Sequence, residues 1–310
     1  MYKRQVLRMQ KHIYRASQRG DTLAVYSQQQ LLLESEAARL LVVRHVTEES
    51  EGRDTAGVDG IKSVPPGGRL ALASAIHPDH WHQVPPKPVL RVWIPKPGTA
   101  ERRPLAILSM IDRCKQTLAK MALEPEWEAR FEPQSYGYRP GRGTHDAIAA
   151  IVQTINLHSY YAFVTDIEGA FDHINQDVLL DKLQTYPALR EALHAWFMAG
   201  IIDKGVHLPS EIGIPQGSSL SPLLLNIALH GMETIVKDSN ADVSAGEPSM
   251  ESPLVIRYAD DFLILHSKLE ELQKAVNRVT VWLQQMGLSL NPRKTYIPHS
   301  PVVVSWTPGL

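Results

Sequence analysis

The chain predicts an α+β fold in which helices and strands mix irregularly. Three observations carry this. Helical periodicity dominates residues 3–46, and two apolar alternating runs meet at a short turn on both sides of residue 97 and again at residues 259–260. Strands and helices do not alternate in the regular βαβ order of a doubly wound parallel sheet. At 310 residues with 44% hydrophobic and 21% charged side chains, the chain is long enough to bury a sizeable core and lies far from disordered compositions.

Val6, Met9 and Ile13 recur at helical spacing, and Leu31 to Val46 is rich in Leu, Ala and Arg. Lys3, Arg4, Arg8, Lys11, Arg15 and Arg19 make the first helix basic, suited to lying along a phosphate backbone. From Glu48 to Pro88, repeated Gly and Pro predict a loop-rich connector. His77, His80 and His82 inside it have ligand-like spacing but lack the Cys or carboxylates that would complete a zinc shell. Val89 to Ile94 and Arg102 to Leu108 then read as a hairpin with a basic tip. Ser109, with Asp112 three residues on, fits a helix start running to about Leu123 and placing Cys114 in the core. Thr144 opens a further helix after the turn-rich Ser135 to Gly143. Tyr160 to Val164 reads as a strand delivering Asp166. Leu254 to Tyr258 and Phe262 to Leu265 flank Ala259-Asp260-Asp261 as a tight hairpin, and Leu269 to Met286 forms a helix ended by Gly287.

Composition excludes several classes. One cysteine permits neither an internal disulfide nor a Cys-based zinc site, which favours a reducing compartment. Apolar stretches such as Pro222 to Leu229 fall far short of the roughly 20 residues of a membrane span, and the basic N-terminus lacks the apolar core of a signal peptide. The expectation is a soluble, cytoplasmic protein with no membrane partner. The net charge of −1 gives no global sign of nucleic-acid binding. Its distribution is uneven: residues 85–145 hold eleven Lys/Arg against six Asp/Glu, and 232–272 hold three against nine.

The carboxylates are the most informative residues. Adjacent Asp260 and Asp261 repel, and a divalent cation is one way to offset that; a solvated Asp turn is the alternative. Asp166 at a strand end changes the weighing. Two strand-borne acidic sites in one sheet can hold a pair of hard cations about 3.5–4 Å apart and so serve phosphoryl transfer. Asp172 is open to the simpler reading of a local turn cap.

These segments resemble a known family. Tyr258-Ala259-Asp260-Asp261 is similar to the active-site hairpin of reverse transcriptases, and Asp166 with Phe171 resembles their first catalytic motif. Ile214-Pro215-Gln216-Gly217-Ser218 resembles the turn-to-helix motif between them. Ile94-Pro95-Lys96-Pro97-Gly98 with Arg102-Arg103-Pro104-Leu105 resembles the fingers hairpin, and Tyr136-Gly137-Tyr138-Arg139-Pro140 the segment after it. Order and wording are similar to those of group II intron reverse transcriptase/maturases, as is the segment Ser17-Gln18-Arg19-Gly20 through Thr55-Ala56-Gly57-Val58-Asp59-Gly60. The likeness spans about residues 5–299.

The resemblance implies a right-hand polymerase fold: a helical N-terminal extension (1–64), fingers (65–158) and a palm (159–310) whose antiparallel sheet is backed by helices. It implies an RNA-directed DNA polymerase, with Asp166 and Asp260 ligating two Mg²⁺ (Mn²⁺ as a substitute) and the Ile167 carbonyl and Asp261 in support. Lys96 and Arg102, assisted by Arg103, would clamp the dNTP triphosphate. Phe171 would exclude a 2′-hydroxyl, Gln216 and Gly217 would line the floor under the incoming base, and Lys294 would be the general acid for pyrophosphate. Implied partners are an RNA template, a DNA primer and group II intron RNA. After Ile297 the chain departs from the family pattern, and the expectation is fingers and palm without the thumb, hence weak processivity unless a thumb-bearing chain or a second copy compensates. A non-catalytic module that binds intron RNA is the alternative.

Overall fold

The computed structural model describes residues 2–95, 98, 102–155, 160–237 and 252–297. Its backbone falls into two compact units, one formed by Met1–Arg130 with Leu180–Leu223, the other by Phe131–Leu179 with Leu224–Leu310.

The first unit opens with helices α1 (Tyr2–Gln18), α2 (Thr22–Glu34) and α3 (Glu36–Arg44). Asp21 and Ser35 cap the second and third by accepting from the backbone N–H groups of Ala24 and Ala38. Val6, Ile13 and Ala16 form the buried stripe of α1, while its five Lys and Arg side chains stay exposed. Helix α4 (Pro66–Ala75) interrupts the stretch expected to be a connector. Pro66 sits at its first turn, where a fixed φ favours the helix and the missing N–H costs nothing, and Ala73 and Ile76 anchor it to the core. Strands β1 (Val89–Pro95) and β2 (Arg102–Ile107) form the expected hairpin, with Leu90 opposite Ile107.

Helix α5 (Met110–Glu128) starts at the expected Ser109 cap but runs past Leu123 and through Pro125. Proline leaves the carbonyl four residues earlier without its helical donor. That carbonyl, on Met121, accepts instead from Gln10 Nε2 at 3.1 Å, and Ala122 O accepts from Gln29 Nε2 at 3.3 Å. Cys114, Leu118 and Ala122 pack against Val25, Leu32, Val42 and Val43, so Cys114 is a core residue as expected.

The second unit contains α6 (Thr144–Ile155), β3 (Tyr161–Asp166) and α7 (Ala170–His173). Thr144 is the first helical residue of α6 rather than its cap, and Asp146 accepts from Gly143 N. Helix α8 (Gln176–Leu183) carries the chain back to the first unit, which adds α9 (Pro187–Met198), β4 (Ile201–Asp203) and β5 (Val206–Leu208). Strand β4 joins β1 in parallel, so the first sheet has the order β2-β1-β4-β5. Helix α10 (Ser221–Ala228) leads back to the second unit and to α11 (Met232–Val236), β6 (Leu254–Tyr258), β7 (Asp261–His266) and α12 (Leu269–Gln285). The second sheet is antiparallel with the order β3-β7-β6.

Alternation gives this sheet two buried faces. Ala162, Val164, Ile256, Leu263 and Leu265 pack against Ala147 and Ile151 of α6. Phe262 and Ile264, on the opposite face, are fully buried, and α12 lies against β3 and β7 with Leu272, Ala275, Val279 and Leu283 turned inward. Each buried Val, Leu, Ile or Phe among them contributes about 1.5–3 kcal/mol by leaving water. The result is a rigid, helix-backed antiparallel sheet whose strand ends carry the acids. No helix of the described residues is long and apolar enough to cross a membrane.

Candidate active site

Register brings the acids together. In the β3–β7 ladder Asp166 is the direct partner of Asp261, and Asp260 occupies the two-residue turn between β6 and β7 with Ala259. Ile167 N donates to the Asp260 carbonyl at 3.2 Å, which ties that turn to the end of β3. On the other side of β3 runs the segment after α12. Isolated bridges join Ile167 to Leu290 and Val164 to Tyr296, and Thr165 Oγ1 and Thr295 Oγ1 lie 2.7 Å apart. This third run delivers Lys294, whose Nζ donates to Asp166 Oδ2 at 2.5 Å.

The electrostatics follow from that geometry. Burial, with the Asp166 charge adding to it, raises the Asp260 carboxyl above the ordinary carboxylate range, against opposition from its own backbone N–H, Lys294 and Arg257. The Asp166 hydrogen bond raises the Lys294 ammonium, partial burial opposes it, and the charges of Asp166, Asp261 and Asp260 raise it further.

Asp166 is 7% exposed, and its Oδ1 is buried with no hydrogen-bond partner among the described residues. A buried carboxylate oxygen left open beside two more carboxylates, with a cation already on its other oxygen, fits a hard divalent ion. Among the described residues no three His, Cys, Asp or Glu side chains close on one point. Magnesium is commonly bound through one or two carboxylates, with substrate phosphate and water completing its shell.

Phe171, on α7, is 8% exposed and meets the ring of Tyr138 edge-on at 6.4 Å. Asp172 is exposed on the same short helix, and its N–H donates to Gly169 O. The remaining expected residues belong to the first unit. Arg102 and Arg103 are exposed at the start of β2, opposite Pro95 and Ile94; Lys96 lies outside the described residues. Gln216 O accepts from Ala106 N at 2.6 Å. Gly217 has φ +120°, and a Cβ there would stand 2.6 Å from Ala106 O, so this approach to β2 requires glycine. The His77 and His80 rings turn to local partners, Asp79 N and Ser74 O.

The family described as "Reverse transcriptase (RNA-dependent DNA polymerase)" matches residues 94–305, and "N-terminal domain of reverse transcriptase" matches residues 1–76. The chain belongs to the reverse transcriptase family. It is 30% identical to Protein YkfC of Escherichia coli over 305 residues, covering 86% of this chain and 76% of that one. It is 26% identical over 197 residues to the group II intron-encoded protein LtrA of Lactococcus lactis, covering 63% of this chain and 32% of LtrA. The chain therefore spans about a third of LtrA's length. Telomerase from Candida tropicalis shares the fold, with a TM-score of 0.52 at 16% identity over 71% of this chain and 51% of that one. The mixed fold with a helical N-terminus is thus the fingers-palm fold of reverse transcriptases, a family that works with an RNA template and a divalent metal.

Sequence reasoning does not single out Arg257 or Asn226, whose side chains meet beneath the Ala259-Asp260 turn of this reverse transcriptase fold. The signal was present in part: Arg257 is a lone charge inside an otherwise uncharged, mostly apolar strand, Leu254–Tyr258.

Proposed function

We propose that this chain is an RNA-directed DNA polymerase of group II intron type, adding dNTPs to a primer 3′-hydroxyl on an RNA template. The observation that carries this reading is the register of β3 against β7, which sets Asp166 opposite Asp261 and beside the Asp260 turn in a chain of the reverse transcriptase family. Asp166 and Asp260 would hold two Mg²⁺ ions, with the Ile167 carbonyl and Asp261 in support. Bound there, the ions supply Lewis-acid activation of the primer hydroxyl and charge stabilisation on the leaving oxygens. A bond forms between the primer O3′ and the α-phosphorus, the bond from that phosphorus to pyrophosphate breaks, and the hydroxyl proton passes to solvent water. Lys294, already on Asp166, is the proton donor proposed for pyrophosphate. Phe171, backed by Tyr138, is the group proposed to reject a 2′-hydroxyl. Arg102, Arg103 and Lys96 as triphosphate ligands, and Gln216 and Gly217 under the base, belong to the same proposal on the strength of their motifs. Group II intron RNA is the proposed native partner.

A second reading has its own observation: the exposed cations of α1, Lys3, Arg4, Arg8, Lys11 and Arg15, form a basic face suited to RNA without any chemistry. Single-nucleotide primer extension on an annealed RNA template, at low salt with Mg²⁺, separates the two. The expected result is extension with dNTP, much weaker extension with NTP, and none with Asp260→Ala. Folded wild-type protein that binds the duplex and extends nothing would overturn the polymerase reading in favour of the RNA-binding one.

A further inference from the structure

Beneath the Ala259-Asp260 turn lies a buried polar cluster that neither the sheet register nor the carboxylates require. Arg257 is 2% exposed, and burying a guanidinium costs several kcal/mol unless it is well paired. A leucine or methionine would fill the same strand position without that cost. Yet Arg257 bonds directly to no carboxylate among the described residues: Nη1 donates to Asn226 Oδ1 at 2.8 Å and to Ala259 O at 2.9 Å, and Nη2 donates to Ser135 Oγ at 2.6 Å. Asn226, fully buried on α10, passes the linkage on, donating Nδ2 to Gly137 O at 2.8 Å.

One of these bonds ends on the Ala259 carbonyl, and another holds Gly137, which packs against Ala259 N. Ala259 has φ 57°, a left-handed conformation in which its Cβ crowds the following carbonyl. Gly137 packs so closely beneath it that a Cβ there would stand 2.3 Å from Ala259 N. The Ala259 carbonyl is held by Arg257, and the next carbonyl, that of Asp260, is held by Ile167 N. The turn that presents the Asp260 carboxylate is therefore fixed on both sides, by the guanidinium and by the end of β3. Arginine suits the task because its planar fork reaches Ala259 and Ser135 at once, which a lysine ammonium cannot do in the same geometry. Its charge also opposes the rise that burial imposes on the Asp260 carboxyl.

We propose that Arg257 and Asn226 are positioning residues of the metal site, aiming the Asp260 carboxylate through the Ala259 carbonyl. This rests on the polymerase reading of that site and deepens it. Arg257→Lys, Arg257→Met and Asn226→Ala are made in the full chain. Each is followed by circular-dichroism melting, by Mn²⁺ binding through electron paramagnetic resonance without primer or dNTP, and by single-nucleotide extension below the melting temperature.

The expected result for Arg257→Met is a loss of about 10-fold or more in Mn²⁺ affinity and about 10–100-fold in kcat, with KM for dNTP within about twofold of wild type. Arg257→Lys should recover part of the Mn²⁺ affinity through its charge but little of kcat, and Asn226→Ala should show the same pattern more weakly. Should the methionine variant not fold, the other two decide. Folded Arg257→Lys and Asn226→Ala with wild-type Mn²⁺ affinity and kcat would overturn the inference while leaving the polymerase reading in place. Wild-type protein that neither binds Mn²⁺ nor extends a primer overturns the polymerase reading, and the inference falls with it.

Discussion

Lys294 stands on Asp166 Oδ2, next to the Oδ1 where a divalent cation is proposed to bind, so its positive charge opposes that of the cation. The ion pair raises the lysine above its ordinary 10.5, so its contribution to stability is complete at neutral pH and is lost only as alkaline pH rises through that raised value. Lys294→Met should therefore lower the melting temperature of metal-free protein at pH 7 and leave the melting temperature at strongly alkaline pH closer to wild type. It should also tighten Mn²⁺ binding, because no ammonium charge then stands beside the ions, while slowing extension about 10²-fold through loss of the proton donor. Mn²⁺ titration with and without the mutation checks this, and weaker binding by the variant would sink it. Asp166, Asp260 and Asp261 were legible in the sequence because strand alternation and a two-residue turn leave little choice of register. The lysine contact was not legible, since it depends on an isolated pairing of residues 288–296 with β3 that no local pattern announces.

Helix α5 shows how a motif far from the chemistry contributes to the scaffold. Two of its first N–H groups, which have no partner within the helix, are met from outside: Asp59 Oδ2 accepts from Met110 N at 2.8 Å, and Ser109 Oγ accepts from Asp112 N at 3.2 Å. Arg113 reaches back to the carbonyls of Gly52 and Thr55. The Thr55 to Gly60 stretch, read in the sequence as connector loop and as a family pattern, is thus a strap over the α5 N-terminus. Asp59→Ala should cost about 1 kcal/mol, measured as a lower urea midpoint, with Mn²⁺ affinity unchanged; an unmoved midpoint would refute the capping role. The hairpins and the first three helices were legible because apolar periodicity and turn residues agree there. Helix α4 was hidden in a Pro/Gly-rich stretch, and the last turn of α5 was hidden by Pro125, whose cost is offset by a side chain more than a hundred residues away in sequence.

At the scale of the whole molecule, the chain passes between its two units three times, so neither unit is a contiguous stretch of sequence. The first unit depends on the segment that returns to it. Val89 N donates to Gly200 O, β1 takes β4 as its parallel neighbour, and Trp81 packs on Trp196 with ring centroids 5.4 Å apart. A chain ending at Arg130 keeps α1 to α5 and the β1–β2 hairpin but leaves one edge of β1 unpaired and uncovers Trp81, the conditions for edge-to-edge association. Such a fragment should show helical circular dichroism, melt without a cooperative transition and self-associate in analytical ultracentrifugation. Joining Leu180–Leu223 to it through a flexible Gly/Ser linker should restore cooperative melting and a monomer, because both neighbours return. A monomeric, cooperatively melting fragment without that segment would show instead that α1 to α5 form the folding unit and that β4 merely docks on it.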